Sequence, residues 1–242
     1  MPARPSHRVR TEAAFRVWGV GVILLDQAAG EFGFVAGCAE GSLAKMFDEI
    51  DERLAEFIRR QKIFFTASAA SNGRVNVSPK DGESLRVLDP TRVVYLDQTG
   101  SGNETAAHVR TSGRLTVMFC AFEGAPMILR LYGTAKVLRR GSAEYLELLN
   151  SEFQAVEPPG ARQIIVLKVE RVQTSCGYGV PLFEYVGERD TLRRWAVSKG
   201  DAGLEEYRRQ KNTLSIDGLQ TGLLGPEIDE ASEVESGTKI EA

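Results

Sequence analysis

Residues 95–109 read "YLDQTGSGNETAAHV", and a little upstream residues 76–82 read "NVSPKDG". Between them they hold the groups that binding an anion requires. Gly100 and Gly102 allow a ligand to approach the backbone closely, and Ser101 and Asn103 carry side-chain donors. The chain from Glu104 onward has a helical pattern, so the first free N–H groups of that helix would face the same ligand. Ser78 and Lys80 lie two residues apart in an alternating segment and therefore project to one face of a strand. Lys80 can give phosphate a charge-assisted hydrogen bond, and Ser78 can donate another. The same residue types also build a plain Ser- or Asx-capped helix start and a solvated loop lysine. Spacing alone leaves both open.

Two rival readings of the glycine loop are weaker. Gly100-Ser101-Gly102 after a strand suggests a dinucleotide turn, but the third glycine of GxGxxG would fall at Thr105, among hairpins rather than βαβ units. Asn103-Glu104-Thr105 spells a glycosylation acceptor, which requires a secreted chain. Composition argues against secretion. Cys38, Cys120 and Cys176 are odd in number, widely spaced and without a CxxC pair, which argues against a disulfide framework or a zinc site and fits the cytoplasm. His7 and His108 are the only histidines, too few for a His-rich metal centre. A net charge of −3 gives no overall attraction to nucleic acid or to an acidic membrane, so an anionic ligand must be held by local groups.

The elements that would position these residues follow from periodicity. Residues 1–45 are expected to be a poorly ordered extension, with Met46 as an alternative start. A lipoprotein signal also fits Arg4, Arg8 and Arg10, a nine-residue apolar run and "VAGC", but Asp26 and Glu31 interrupt it. "MFDEIDERLAEFIRRQ" places Phe47, Ile50, Leu54 and Phe57 on one helical face, with Glu49–Arg53 and Glu56–Arg60 as i,i+4 pairs. The period then changes to two. "IFFTASAAS" and "RVNVS" flank Asn72-Gly73, suited to a two-residue hairpin turn. Further strands are predicted at 92–97, 114–122, 127–138 and 163–173, with a turn at Glu123–Pro126. Helices are predicted at 104–111 and 142–151, and two more open with Asp190 and Asp201, the first stopped by Gly200. The body of the chain is thus one domain over 46–222, mainly β with peripheral helices (α+β). The stretch 223–242 is an acidic tail, expected to be disordered.

From about Met46 to Leu219 the sequence resembles the pyridoxamine 5'-phosphate oxidase-related family of FMN-binding split barrels. The resemblance is carried by "FFTASAASNGRVNVSPKDG", "VVYLDQTGSGNETAAHVRTSGRLTVMFCAF", "ILRLYGTAKVL" and "SCGYGVPLFEY", and the closing "YRRQKNTLSIDGL" matches an uncharacterised subgroup. It implies a six-stranded antiparallel split β-barrel and a homodimer with FMN at the interface. It also implies an oxidoreductase acting on a small molecule, without nucleic acid or membrane as partner. Carried over residue by residue, it suggests Ser78, Lys80, Ser101, Gly102, Asn103, Arg130 and Ser175 for the cofactor. Arg130 shares a strand face with Tyr132 and Thr134, which is equally the pattern of an exposed polar face. Glu104 departs from relatives that carry Arg or Lys near this place and sets an acid beside the expected dianion. The substrate-binding Arg/His residues and carboxyl-terminal strand of the vitamin B6 oxidase itself are not recognisable. The alternatives are a barrel holding a deazaflavin, or haem with His108 as its ligand, or a non-catalytic binding protein.

Overall fold

The computed structural model describes residues 44–224. The predicted extension and tail therefore lie almost wholly outside the described residues. Among the described residues eight strands form one antiparallel sheet: β1 (Lys45–Phe47), β2 (Ile63–Ser68), β3 (Asn76–Asp81), β4 (Leu85–Asp89), β5 (Arg92–Gln98), β6 (Arg114–Cys120), β7 (Ile128–Arg139) and β8 (Ala161–Ser175). The spatial order is β3-β2-β6-β7-β8-β5-β4, with β1 added to the far end of β8. The sheet curls into a split barrel, and its antiparallel pairing rules out the dinucleotide fold. Two strands exceed the six expected, β1 and β4. Both are short, and β4 was masked by its charged residues Arg86 and Asp89.

The register fixes which side chains face inward. Phe64, Thr66 and Ser68 alternate into the interior and pair across the sheet with Lys80, Ser78 and Asn76. Val117, Leu131 and Val172 share that face and are fully buried, with Val93 and Tyr95 on the opposite wall. Each large side chain removed from water here contributes about 1.5–3 kcal/mol. A second, smaller core forms outside the barrel. There Val94, Leu96, Leu138 and Ile164 pack beneath α3 (Ala143–Glu152), which buries Tyr145 and Leu149. Gly133 marks a bulge between β7 and β8, where a Cβ would lie 1.9 Å from the Lys168 carbonyl oxygen. Only glycine fits.

The helices differ from expectation at their ends. The first, α1, spans Glu52–Arg60 rather than starting at Met46, because Asp51 caps it by accepting from the Leu54 amide. The preceding residues pair with β8 instead, and Arg53 meets Asp51 in place of Glu49. The Glu56–Arg60 pair is present at 3.7 Å. Asn72-Gly73 does not make a two-residue hairpin. Pairing ends at Ser68–Asn76, and Gly73 sits in a longer loop tied by Arg74 to Asp217. The second helix, α2 (Glu104–Ser112), follows the glycine loop. The final helix, α4 (Thr191–Lys211), is broken at Gly200 as predicted. Asp190 precedes α4 without a side-chain capping bond and pairs instead with Arg194.

Candidate functional site

The strand order leaves β3 and β5 unbonded to each other, and the split between them is bridged by charge. Lys80 on β3 projects inward and its Nζ lies 2.6 Å from Oδ1 of Asp97 on β5. Oδ2 of Asp97 accepts from Arg162 Nε at 2.7 Å and from Gln163 Nε2 at 2.8 Å. Burial alone would raise the Asp97 carboxyl, but Arg162 and Lys80 together outweigh it and hold the group well below the usual carboxylate range. Asp97 is therefore an anion. With two cations around it, the cluster carries a surplus positive charge.

That cluster forms one wall of a pocket of about 420 Å³. Ser78, Lys80, Ser101, Gly102 and Asn103 all line it, together with Asn76, Arg162 and Thr105. The strand-end lysine and the glycine loop thus meet in one place. Asn103 is the residue before α2, but its side chain makes no capping bond. Its Oδ1 accepts from Gln163 Nε2 at 2.7 Å instead, and its Nδ2 is buried with no hydrogen-bond partner. The first amides of α2 are left uncapped. An unpaired buried donor costs about 1–3 kcal/mol, and this one sits within the pocket wall rather than at its surface. Neither Gly100 nor Gly102 has positive φ. A Cβ at Gly100 would meet nothing within 4 Å, and one at Gly102 only Glu104 Oε1 at 3.5 Å. Their value is open space, not a special backbone angle.

Asp81 also lines the pocket, and so does Glu104. The Glu104 carboxylate accepts from the Ile216 amide at 3.0 and 3.1 Å, tying α2 to the segment after α4. Asn103 is 2% exposed, which removes the glycosylation reading. His108 is also buried at 1%, and its Nδ1 shares a hydrogen bond of 3.1 Å with Ser68 Oγ. Cys120 and Cys176 are free thiols, and burial raises the Cys120 pKa, with Arg130 opposing it. Among the described residues no group of three or more His, Cys, Asp or Glu is gathered for a metal, and no helix is long and apolar enough to cross a membrane.

Arg130 and Ser175 lie elsewhere. They meet each other, with Arg130 Nη1 donating to Ser175 Oγ at 3.3 Å, and neither lines the pocket. Register puts Arg130 beside Met118, on the outer face of the sheet with Pro79 and Phe65, opposite Lys80. Tyr132 shares that face and donates to Gln173 Oε1 at 2.8 Å. Asp97, Arg162, Gln163 and Asn212 were missed in the sequence. Gln163 reads as the start of a strand, with Arg162 just before it, and Asn212 as the end of a helix. The one signal was a polar pair, Arg162-Gln163, leading into an apolar run.

The sequence profile of pyridoxamine 5'-phosphate oxidase matches residues 50–176, from the approach to α1 through the end of β8. The chain belongs to the pyridoxamine 5'-phosphate oxidase family. A curated relative is the pyridoxamine 5'-phosphate oxidase family protein ustO of Aspergillus flavus, 36% identical over 191 residues, covering 72% of this chain and 76% of that protein. Among solved structures, HupZ of Group A Streptococcus is 20% identical, covers 55% of this chain and 99% of its own, and gives a TM-score of 0.42. A pyridoxamine 5'-phosphate oxidase-related, FMN-binding protein of Nostoc punctiforme is 11% identical, covers 47% and 73%, and gives 0.36. Within this family the profile covers the whole pocket except Leu192 and extends to Ser175.

Proposed function

We propose that this member of the family is an FMN-binding flavoprotein, a homodimeric oxidoreductase of the cytoplasm that acts on a small molecule. The observation that carries the reading is the convergence of Lys80, Arg162 and the free amides of the glycine loop on one pocket. The two cations outnumber the Asp97 they pair with, and the Asp81 and Glu104 carboxylates, which also line the pocket, accept from the Ser84 and Ile216 amides. A phosphate dianion offers only acceptors and fits that donor set. Ser78, Lys80, Ser101, Gly102 and Asn103 would hold the phosphate. Lys80 spends one of its donors on Asp97 and keeps others for the ligand. FMN supplies the electron and hydride chemistry, while the chain supplies binding, orientation and exclusion of water.

Pairing of two copies is supported by the outer face of the sheet and by the segment that follows β8. Tyr178, Leu182, Phe183 and Val186 are between 60% and 94% exposed, an apolar display that a second copy would cover. Arg130 and Ser175, facing away from their own chain's pocket, would then reach cofactor held by the partner, as an isologous interface permits. Free thiols at Cys120 and Cys176 suit a reducing compartment.

The test is the absorption spectrum of protein purified and then reconstituted with FMN, read beside light scattering. Flavin bands in a species of twice the chain mass are expected. Protein that retains no flavin after reconstitution would overturn the assignment, and a flavin-bearing monomer would overturn the dimer.

A further inference from the structure

Within the loop 99–103, acceptors and donors are sorted to opposite sides. The Gly100 carbonyl accepts from Asn212 Nδ2 at 3.0 Å, and the Gly102 carbonyl from Arg162 Nη1 at 2.9 Å. In a trans peptide the C=O of one residue and the N–H of the next point in opposite directions, and no cis bond occurs among the described residues. Fixing these two carbonyls therefore turns the Ser101 and Asn103 amides away from Asn212 and Arg162. Neither amide finds an acceptor among the described residues. The side chain of Asn103 is sorted in the same way. Because Asp97 is ionised, Gln163 must offer it N–H rather than oxygen, and the same Nε2 meets Asn103 Oδ1. The carboxylate thus dictates, through Gln163, that Asn103 turns its Oδ1 to Gln163 and keeps its Nδ2 free of a partner among the described residues. Gln163 Oε1 is left without a partner in this arrangement, but Gln163 does not line the pocket.

The anchor of this frame is remote in sequence. Asn212 caps the end of α4, is fully buried, and accepts from Arg162 Nη1 at 2.9 Å while donating to Gly100. Thr221 Oγ1 donates to its carbonyl at 2.6 Å. One turn earlier, Arg208 donates to Thr99 Oγ1 and to the carbonyls of Gly160 and Ala161, so the same helix also holds the root of the loop.

We propose that the last turn of α4 is part of the anion site: Asn212 and Gln163 are positioning residues that, with Arg162, turn the acceptors of the 99–103 loop inward and leave donors facing the ligand. The inference rests on the FMN reading and deepens it. The site favours a fully ionised phosphate end because the Gly100 and Gly102 carbonyls and Asn103 Oδ1 are already spent on protein donors. Helix docking and phosphate binding then stabilise each other. The resemblance in "YRRQKN" gains a physical meaning, since its Arg208 and Asn212 tie α4 to Thr99 and Gly100 of the loop.

The experiment uses the full chain and compares its affinity for FMN with that for riboflavin, which lacks the phosphate, in wild type, Asn212→Leu and Gln163→Leu. Both substitutions are neutral and close in size. The preference for FMN over riboflavin should fall about tenfold in each, the loss expected when a charged hydrogen bond is misaligned. Riboflavin affinity should change far less. A general loss of fold would lower both affinities together and leave the ratio intact, and an intact ratio overturns the positioning role. Wild-type protein that binds neither flavin would overturn the FMN reading itself, and this inference with it. As a second readout, FMN should slow amide hydrogen exchange at 207–215 more than riboflavin does. Equal protection by the two also counts against the proposal.

Discussion

Two clusters of cation, carboxylate and polar partner are joined to the β8 end of the barrel, and they behave differently. Arg140 and Glu157 pair at 2.5 Å, with Tyr145 donating to the same carboxylate, and their side chains are 44% and 24% exposed. Arg162 and Asp97 pair at 2.7 Å with both side chains under 5% exposed. The outer cluster fastens the stretch after α3 to the turn after β7, and water can replace much of what it contributes. The inner cluster has no such substitute. Both oxygens of Asp97 and the Arg162 guanidinium are answered by other protein groups, so the cluster dictates orientation as far as Asn103 and Gly100. Similar chemistry, placed in different dielectric surroundings, is a clasp in one case and a geometric template in the other.

Removing Arg162 should show the larger effect. Arg162→Leu leaves Asp97 buried with one cation fewer and should cost about 3–5 kcal/mol in a urea titration. A loss below about 1 kcal/mol would place the two clusters in the same class. Lys80→Ala is next. Asp97 keeps Arg162 and Gln163, so the apoprotein should persist, while FMN affinity should fall by about 1.5–3 kcal/mol. Unchanged retention of flavin would show that Lys80 serves only the ion pair. Acid sharpens the contrast further. Asp97 ionises more readily in the folded state than unfolded, so its contribution is complete above the unfolded carboxyl value of about 3.9 and is lost as pH falls below it. Stability should therefore drop steeply in that acid range for wild type, and more gently for Asp97→Asn from a lower starting point. Two parallel curves would assign the acid sensitivity to other carboxylates. Arg140→Leu is expected to be the mildest change, under about 1 kcal/mol in the same titration.

The mutational contrast has a counterpart in the glycines. Gly133→Ala should prevent folding or cost about 3 kcal/mol, because its Cβ would enter the Lys168 carbonyl. Gly102→Ala has room and should leave the melting temperature almost unchanged. Periodicity could not tell these two residues apart.

What the chain states by itself is local. The β-branched and aromatic runs "IFFTAS" and "VVYLDQ" announced the strands, and the spacing of Ser78 and Lys80 placed both on one side, whereas β5 is buried on both faces and β2 turns Thr66 and Ser68 inward. The extent of α1 was misread because Asp48 and Glu49 suit a first helical turn as well as the approach to a cap, and only Asp51 accepting from Leu54 decides between them. The expected two-residue turn at Asn72-Gly73 failed for a similar reason, since Asp217, far along the chain, holds that loop open. The candidate site divides along the same line. The donors Lys80, Ser101 and Asn103 could be picked out by residue type, because a donor is a property of one side chain. Which way those donors point could not, because it is set by Asp97, Arg162, Gln163 and Asn212 across separations of 60 residues and more. Orientation is a property of the contact. Only folding brings a buried carboxylate, two amides and a helix end close enough to impose it.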